Sequence, residues 1–175
     1  MPVRCRARLL PLCLALALLA GACRPGERDP GEPPPAPEAS NRFDPAGIQV
    51  GDRILGLTVT RQDLSHAPAM GDSVYVGSVE FSGELTLSGS YRAHPDYPEV
   101  QALCFDVDEA SAARVPRMRG DERRVWFCFD NQEEAVRALG SPGTAGRATI
   151  VIDDYRTVRQ FTDAFDTATL LRVVE

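Results

Sequence analysis

From Val79 to Arg92 the chain alternates without interruption. Val79, Phe81, Gly83, Leu85, Leu87, Gly89 and Tyr91 hold one set of positions; Glu80, Ser82, Glu84, Thr86, Ser88, Ser90 and Arg92 hold the other. A period of two sustained this long belongs to an extended strand with one buried face, and no helix keeps it. Tyr75 and Gly77 continue the buried set backward, so glycines recur at 77, 83 and 89 on the inward face. Inward glycines let a strand coil sharply, as closure of a sheet into a barrel requires.

Four further strands are predicted. Val100 to Val107 places Leu103, Phe105 and Val107 on one face; Arg124 to Phe129 places Val125, Phe127 and Phe129 on one face. Ala148 to Tyr155 and Ala168 to Val174 complete the set. One helix is punctuated between the third and fourth strands. Asp130 is its candidate N-cap, Glu133 completes a capping box, and Gly140 is the candidate C-terminal cap. A short helical turn is predicted after Asp108, through Ser111 to Arg114, ending before Pro116. Over residues 74 to 175 this order resembles the OB-fold, a five-stranded Greek-key barrel. The fold class is therefore mainly β: an OB-like barrel with one helix between strands 3 and 4. Ile48, Val50, Ile54, Leu57 and Val59 suggest one or two extra N-terminal strands. A β-sandwich is the alternative.

The N-terminus reads as an export signal over residues 1 to 22. Arg4, Arg6 and Arg8 precede an apolar run from Leu9 to Ala20, too short for a spanning helix and right for a signal peptide. Leu19-Ala20-Gly21-Ala22-Cys23 resembles the lipobox of bacterial lipoproteins, although leucine stands four residues before the cysteine and Ala20 occupies its usual place. The resemblance implies acylation of Cys23 and a membrane anchor through the N-terminal lipid; an ordinary signal-peptidase site is the alternative. Residues 23 to 45 form a lipidated tether holding seven of the 14 prolines. Such a composition buries no core and prefers extended polyproline II. Residues 46 to 175 form the barrel domain. The chain as a whole resembles small uncharacterised bacterial envelope lipoproteins, which implies a location at the cell envelope, facing the periplasm or the exterior.

Five cysteines are present. Cys5 and Cys13 leave with the signal and Cys23 takes the lipid. Cys104 and Cys128 remain, an even pair in an oxidising compartment. With Phe105 and Phe127 pointing inward, both cysteines point outward beside Trp126, as a bridge between neighbouring strands requires. Two free buried cysteines are the alternative.

All 19 basic residues are arginine, which excludes P-loop, Schiff-base and Ser-Lys chemistry. The two histidines, His66 and His94, cannot make a multi-histidine metal site. The net charge of −6 argues against a nucleic-acid partner. Ser65-His66 has no partner acid, and the glycine-rich run from Gly140 to Gly146 lacks the lysine of a phosphate loop. The paired carboxylates (Asp106 with Asp108 and Glu109, Asp153 with Asp154, Asp163 with Asp166) lack the spacing of a calcium loop. No catalytic residue, metal or cofactor is assigned.

Two constellations point to binding. Arg114, Arg117, Arg119, Arg123 and Arg124 crowd a loop between strands two and three, with Arg117 and Arg119 as candidate anion contacts or, alternatively, partners of the domain's own acids. The outer face of strands two and three carries Trp126. On the OB resemblance it is flanked by a 1–2 loop with Arg92, His94, Asp96 and Tyr97, and a 4–5 loop with Arg156, Arg159, Phe161 and Phe165. The alternative is that residues 46 to 70 cover this face. The implied function is a lipid-anchored, non-enzymatic binding or accessory module whose partner is another envelope protein or a glycan. The alternatives are an envelope hydrolase and an inhibitor of a lysozyme-like enzyme. For the inhibitor, Ser88-Gly89-Ser90-Tyr91 is similar to the serine-glycine-tyrosine motif of that family.

Overall fold

A computed structural model describes residues 40–94, 102–141, 143–160 and 165–174. The elements in chain order are β1 (Arg42–Phe43), β2 (Arg53–Ile54), β3 (Leu57–His66), β4 (Tyr75–Ser82), β5 (Leu85–Ala93), β6 (Leu103–Val107), α1 (Glu109–Ala112), β7 (Arg117–Met118), β8 (Trp126–Phe129), α2 (Gln132–Leu139), β9 (Gly146–Arg159) and β10 (Asp166–Val174). A single turn of 3-10 helix, Pro68–Met70, links β3 to β4.

The strand order β10-β8-β6-β5-β9, with β9 also paired to β10, closes a five-stranded barrel. β8 and β10 run parallel, and the other ring neighbours are antiparallel. α2 lies between β8 and β9 in the chain, the third and fourth strands of the ring. β4, β3 and β2 continue the sheet outside the ring from the far half of β9. The mainly β, closed-barrel reading with added N-terminal strands is thus realised; a sandwich is not.

The long alternating segment is two strands rather than one. β4 pairs with Gly77–Phe81 against Tyr155–Arg159, and β5 pairs with Leu85–Tyr91 against Gly146–Ile152. From Phe81 to Leu85 four steps face only three on β9, from Tyr155 to Ile152. The mismatch is absorbed at Gly83, whose φ of 129° is open to glycine, while its N–H donates to Asp153 Oδ1 at 2.7 Å. Gly89 serves close approach: a Cβ there would lie 2.2 Å from the Asp106 carbonyl oxygen.

The inward set is buried as the alternation requires. Val79, Leu87, Phe105, Phe127, Ile150 and Ile152 are wholly inaccessible. Phe105 and Phe127 stack at 5.8 Å between centroids, and Phe127 meets Tyr155 edge-on at 6.2 Å. Each such ring contributes about 1.5–3 kcal/mol by leaving water.

Two expectations are corrected. The tether was taken to run to residue 45, yet β1 pairs in parallel with β7 and Phe43 is buried against Phe81. Asn41 Nδ2 also donates to the carbonyls of Ala112 and Val115. Phe43 is a large apolar side chain, and its burial outweighs the surrounding proline-rich composition. At α2 the N-cap is Asn131, not Asp130, and it makes no side-chain cap bond. The Asn131 amide instead clasps the backbone of Leu170, donating to its oxygen and accepting from its N–H, both at 2.9 Å. Residues 1 to 39, including Cys23 and the rest of the tether, lie outside the described residues.

Candidate functional site

With Phe105 and Phe127 inside, Cys104, Asp106, Trp126 and Cys128 leave the barrel on its outer side. Register sets them in rows: Arg92 opposite Cys104 opposite Cys128, and Ser90 opposite Asp106 opposite Trp126. Arg147 of β9 lies opposite Ser90 on the other flank. Cys104 and Cys128 are disulfide-bonded, joining β6 to β8 as the shared face predicted.

Asp106 is the centre of this face. Its Oδ1 accepts the Arg124 Nε–H at 2.6 Å, its Oδ2 is ion-paired with Arg124 Nη2, and Arg92 Nη2 lies 3.6 Å from Oδ2. The carboxylate is buried, with 7% of its side chain exposed, whereas Arg92 and Arg124 are 50% and 67% exposed. One hidden acid therefore holds two guanidiniums at the surface. A fork gripped from below keeps its remaining donors directed outward at little entropic cost.

Trp126 stands beside this group, half-buried. Its ring lies near-parallel to Phe165 at 5.9 Å and edge-on to His94 at 5.3 Å. His94 meets Phe165 as well, at 4.9 Å. His94, expected in the 1–2 loop, is only 3% exposed. The aromatic rings on both sides of it explain that burial.

An open cleft of about 530 Å³ adjoins Trp126's row. Ser90, Asp106 and Val107 of the strands line it, with Asp108 and Glu109 at the start of α1, residues 122–125, Arg117 and Arg147. Arg147 Nη2 is 2.5 Å from Asp108 Oδ2. Asp108 is the N-cap residue of α1, but its side chain makes no cap bond and pairs with Arg147 instead. A smaller hollow lined by Arg92, Cys104, Asp106 and Trp126 shares Asp106 with the cleft, so the aromatic patch and the cleft form one continuous surface.

The other arginines of the basic loop are spent internally. Arg123 is paired with Asp121 at 2.9 Å and Asp166 at 3.5 Å, and it donates to the Val158 oxygen at 2.7 Å. Asp166 also accepts from the Tyr155 hydroxyl at 2.6 Å and the Val158 N–H at 2.8 Å. Burial pushes both the Asp166 carboxyl and the Tyr155 phenol above their ordinary values. Burial also raises Asp121, but hydrogen bonds from Arg123 and the charges of Arg123 and Arg117 outweigh it and hold that carboxyl below the usual range. The bond to Asp121 holds the Arg123 guanidinium above its ordinary value.

The anticipated contact residues therefore separate. Trp126 and Arg92 come together, joined by Arg124 and Asp106, which had not been singled out as contacts. Arg92 belongs to β5 rather than to a loop. Arg117 lines the cleft but is paired with Asp121 at 3.3 Å and donates to the Arg123 carbonyl. Arg119 is paired with Asp44 at 3.0 Å in another hollow with Arg159. Arg156, expected in the 4–5 loop, lies within β9 and reaches Ser78 at 3.2 Å and Glu80 at 3.8 Å on β4. Tyr97 and Phe161 lie outside the described residues. Residues 46 to 70 extend the sheet on the β4 side, where Ile48, Leu57 and Val59 join the core. Parity carried a signal for Arg124, which shares a face with Trp126 two residues on. Nothing local marked Asp106 as the common anchor.

Among the described residues no three His, Cys, Asp or Glu side chains are grouped as a metal site would need. No family model matches the chain, and comparisons with curated proteins and with solved structures find no match.

Proposed function

We propose that the protein is a recognition module of the bacterial cell envelope, anchored to a membrane by acylation at Cys23 and working by contact rather than turnover. The contact face is the outer surface of β5, β6 and β8, centred on Trp126, Arg92 and Arg124. The observation that carries this reading is the Asp106 arrangement: a buried carboxylate presenting two half-exposed guanidiniums beside a half-buried tryptophan. Tryptophan and arginine are the side chains on which binding energy most often concentrates. Two of the cleft's acids support the same reading, because Asp106 and Asp108 are already engaged by arginines rather than held free as general acid and base. The partner is another envelope component, a protein or a glycan. The export signal and the lipobox-like Leu19 to Cys23 segment support the location.

The test is co-sedimentation of the full-length lipoprotein, in detergent, with isolated envelope material. Trp126→Ala and the double variant Arg92→Ala/Arg124→Ala should each lose retention while remaining folded, the double variant also losing about 1–3 kcal/mol of stability because the buried Asp106 carboxylate is left without a cation. Retention equal to wild type in both variants places the contact elsewhere.

A further inference from the structure

We infer that the cleft over β5, β6 and β8 takes a neutral polyhydroxylated ligand, a glycan segment, with a sugar ring against Trp126; this rests on the recognition reading above and names its ligand class. Charge is the first consideration. Four arginines and four acids line the cleft, so it has no net field to draw in an anion or a cation. An anion would compete with Asp106 for Arg124 and with Asp108 for Arg147, and a cation would meet the reverse competition.

The lining is nonetheless dense in hydrogen-bonding capacity. An Arg–Asp pair that is already formed offers guanidinium donors and carboxylate lone pairs side by side, and Ser90 adds a hydroxyl able to do both. A sugar hydroxyl donates once and accepts once or twice, so a vicinal diol is complementary to such an alternation. A simple anion or an apolar group is not. The Arg147–Asp108 and Arg124–Asp106 pairs exist before any ligand arrives, which lowers the ordering cost of binding. The volume of about 530 Å³ falls within the range of small-molecule sites, and the cleft is open to solvent. The continuous surface through Asp106 leads to Trp126, an aromatic ring able to pack on the apolar face of a pyranose while leaving its polar edge wet.

Trp126 is the sole tryptophan of the chain, so its fluorescence reports the site directly. The full-length protein would be titrated with neutral tetramers of N-acetylglucosamine, glucose and galactose, and separately with tetragalacturonate and a single-stranded oligonucleotide. At least one neutral tetramer should give a saturable change. Asp108→Ala and Arg147→Ala, whose side chains are partners in the cleft away from the indole, should weaken it roughly tenfold. Silence with all three neutral tetramers overturns the assignment. So does tighter binding of tetragalacturonate or the oligonucleotide, which marks an anion site, and so does neutral binding that is indifferent to both variants. Envelope retention that depends on Trp126, combined with silence in these titrations, removes the glycan assignment alone. Retention that ignores Trp126 removes the recognition reading itself.

Discussion

Two arginine–carboxylate clusters lie on neighbouring parts of this barrel, built from adjacent residues, and they do opposite things. Arg123 is gripped by Asp121 and Asp166 and by the Val158 carbonyl, with Tyr155 closing the group beneath. Its Nε and Nη2 are both engaged, and two of its partners are buried carboxylates. Arg124, one residue later, shares a single carboxylate with Arg92 and remains two-thirds exposed. The first cluster ties the loop before β8 to β9 and β10. The second leaves cationic donors at the surface beside Trp126. Exposure and the count of carboxylates per guanidinium, rather than residue type, separate a structural staple from a contact point.

The largest test of that contrast is the covalent one on the outer face. Replacing both Cys104 and Cys128 with alanine should lower stability by about 3 kcal/mol, from a closed loop of about 25 residues, as measured by urea denaturation. A loss well below 1 kcal/mol would mean that the cross-strand hydrogen bonds already hold the β6–β8 face. Arg123→Ala comes next. It leaves Asp166 without its cation and Asp121 with Arg117 alone, and, allowing for the partial exposure of Arg123, should cost about 2 kcal/mol without loss of envelope retention. A variant that stays stable but loses retention would invert the comparison.

Arg124→Ala is expected to show the reverse pattern: retention falls, while stability drops by only about 1 kcal/mol, because the guanidinium is largely solvated and Arg92 still faces the buried Asp106 carboxylate. The smallest effect is a change of slope with pH. Asp166 has a folded pKa above its unfolded value of 3.8, so its contribution is fully present below that value and is lost as pH rises through the folded pKa. Asp121 is shifted down, so its contribution is present above 3.8 and is lost as pH falls through the folded pKa. Asp166→Asn should therefore remove a fall in stability on the rising side, and Asp121→Asn a fall on the acid side. Denaturation midpoints across the acid range distinguish the two; identical profiles would show that the carboxylates titrate as one unit with Arg123.

Much of the barrel was legible because strand parity is a local property. Val79 to Arg92 declared its inner face residue by residue, and the same rule placed Cys104 and Cys128 together and set Trp126 outside. The sites were less legible. His94 sits next to a proline-rich segment that reads as a surface turn, yet the rings of Trp126 and Phe165 pack against it. Arg117 and Arg119 read as an anion-binding pair, but their carboxylates are Asp121 and the distant Asp44. Arg156 was assigned to a loop because the apolar pattern of β9 fades after Tyr155, although pairing with β4 continues to Arg159.

The amino-acid sequence by itself determined the number and faces of the ring strands, the position of α2, and the pairing of Cys104 with Cys128. Each follows from side chains that repeat every second residue or punctuate a helix, and these rules act within a few residues of chain. Only the tertiary structure decided which arginines are free to meet a ligand. Asp44 reaches Arg119 across 75 positions and Asp106 meets Arg124 across 18, and such ion pairs form only when closure of the barrel brings separate strands together. Docking of Phe43 onto Phe81 was decided the same way, because the apolar side chain finds its surface only after β3 and β4 have formed it.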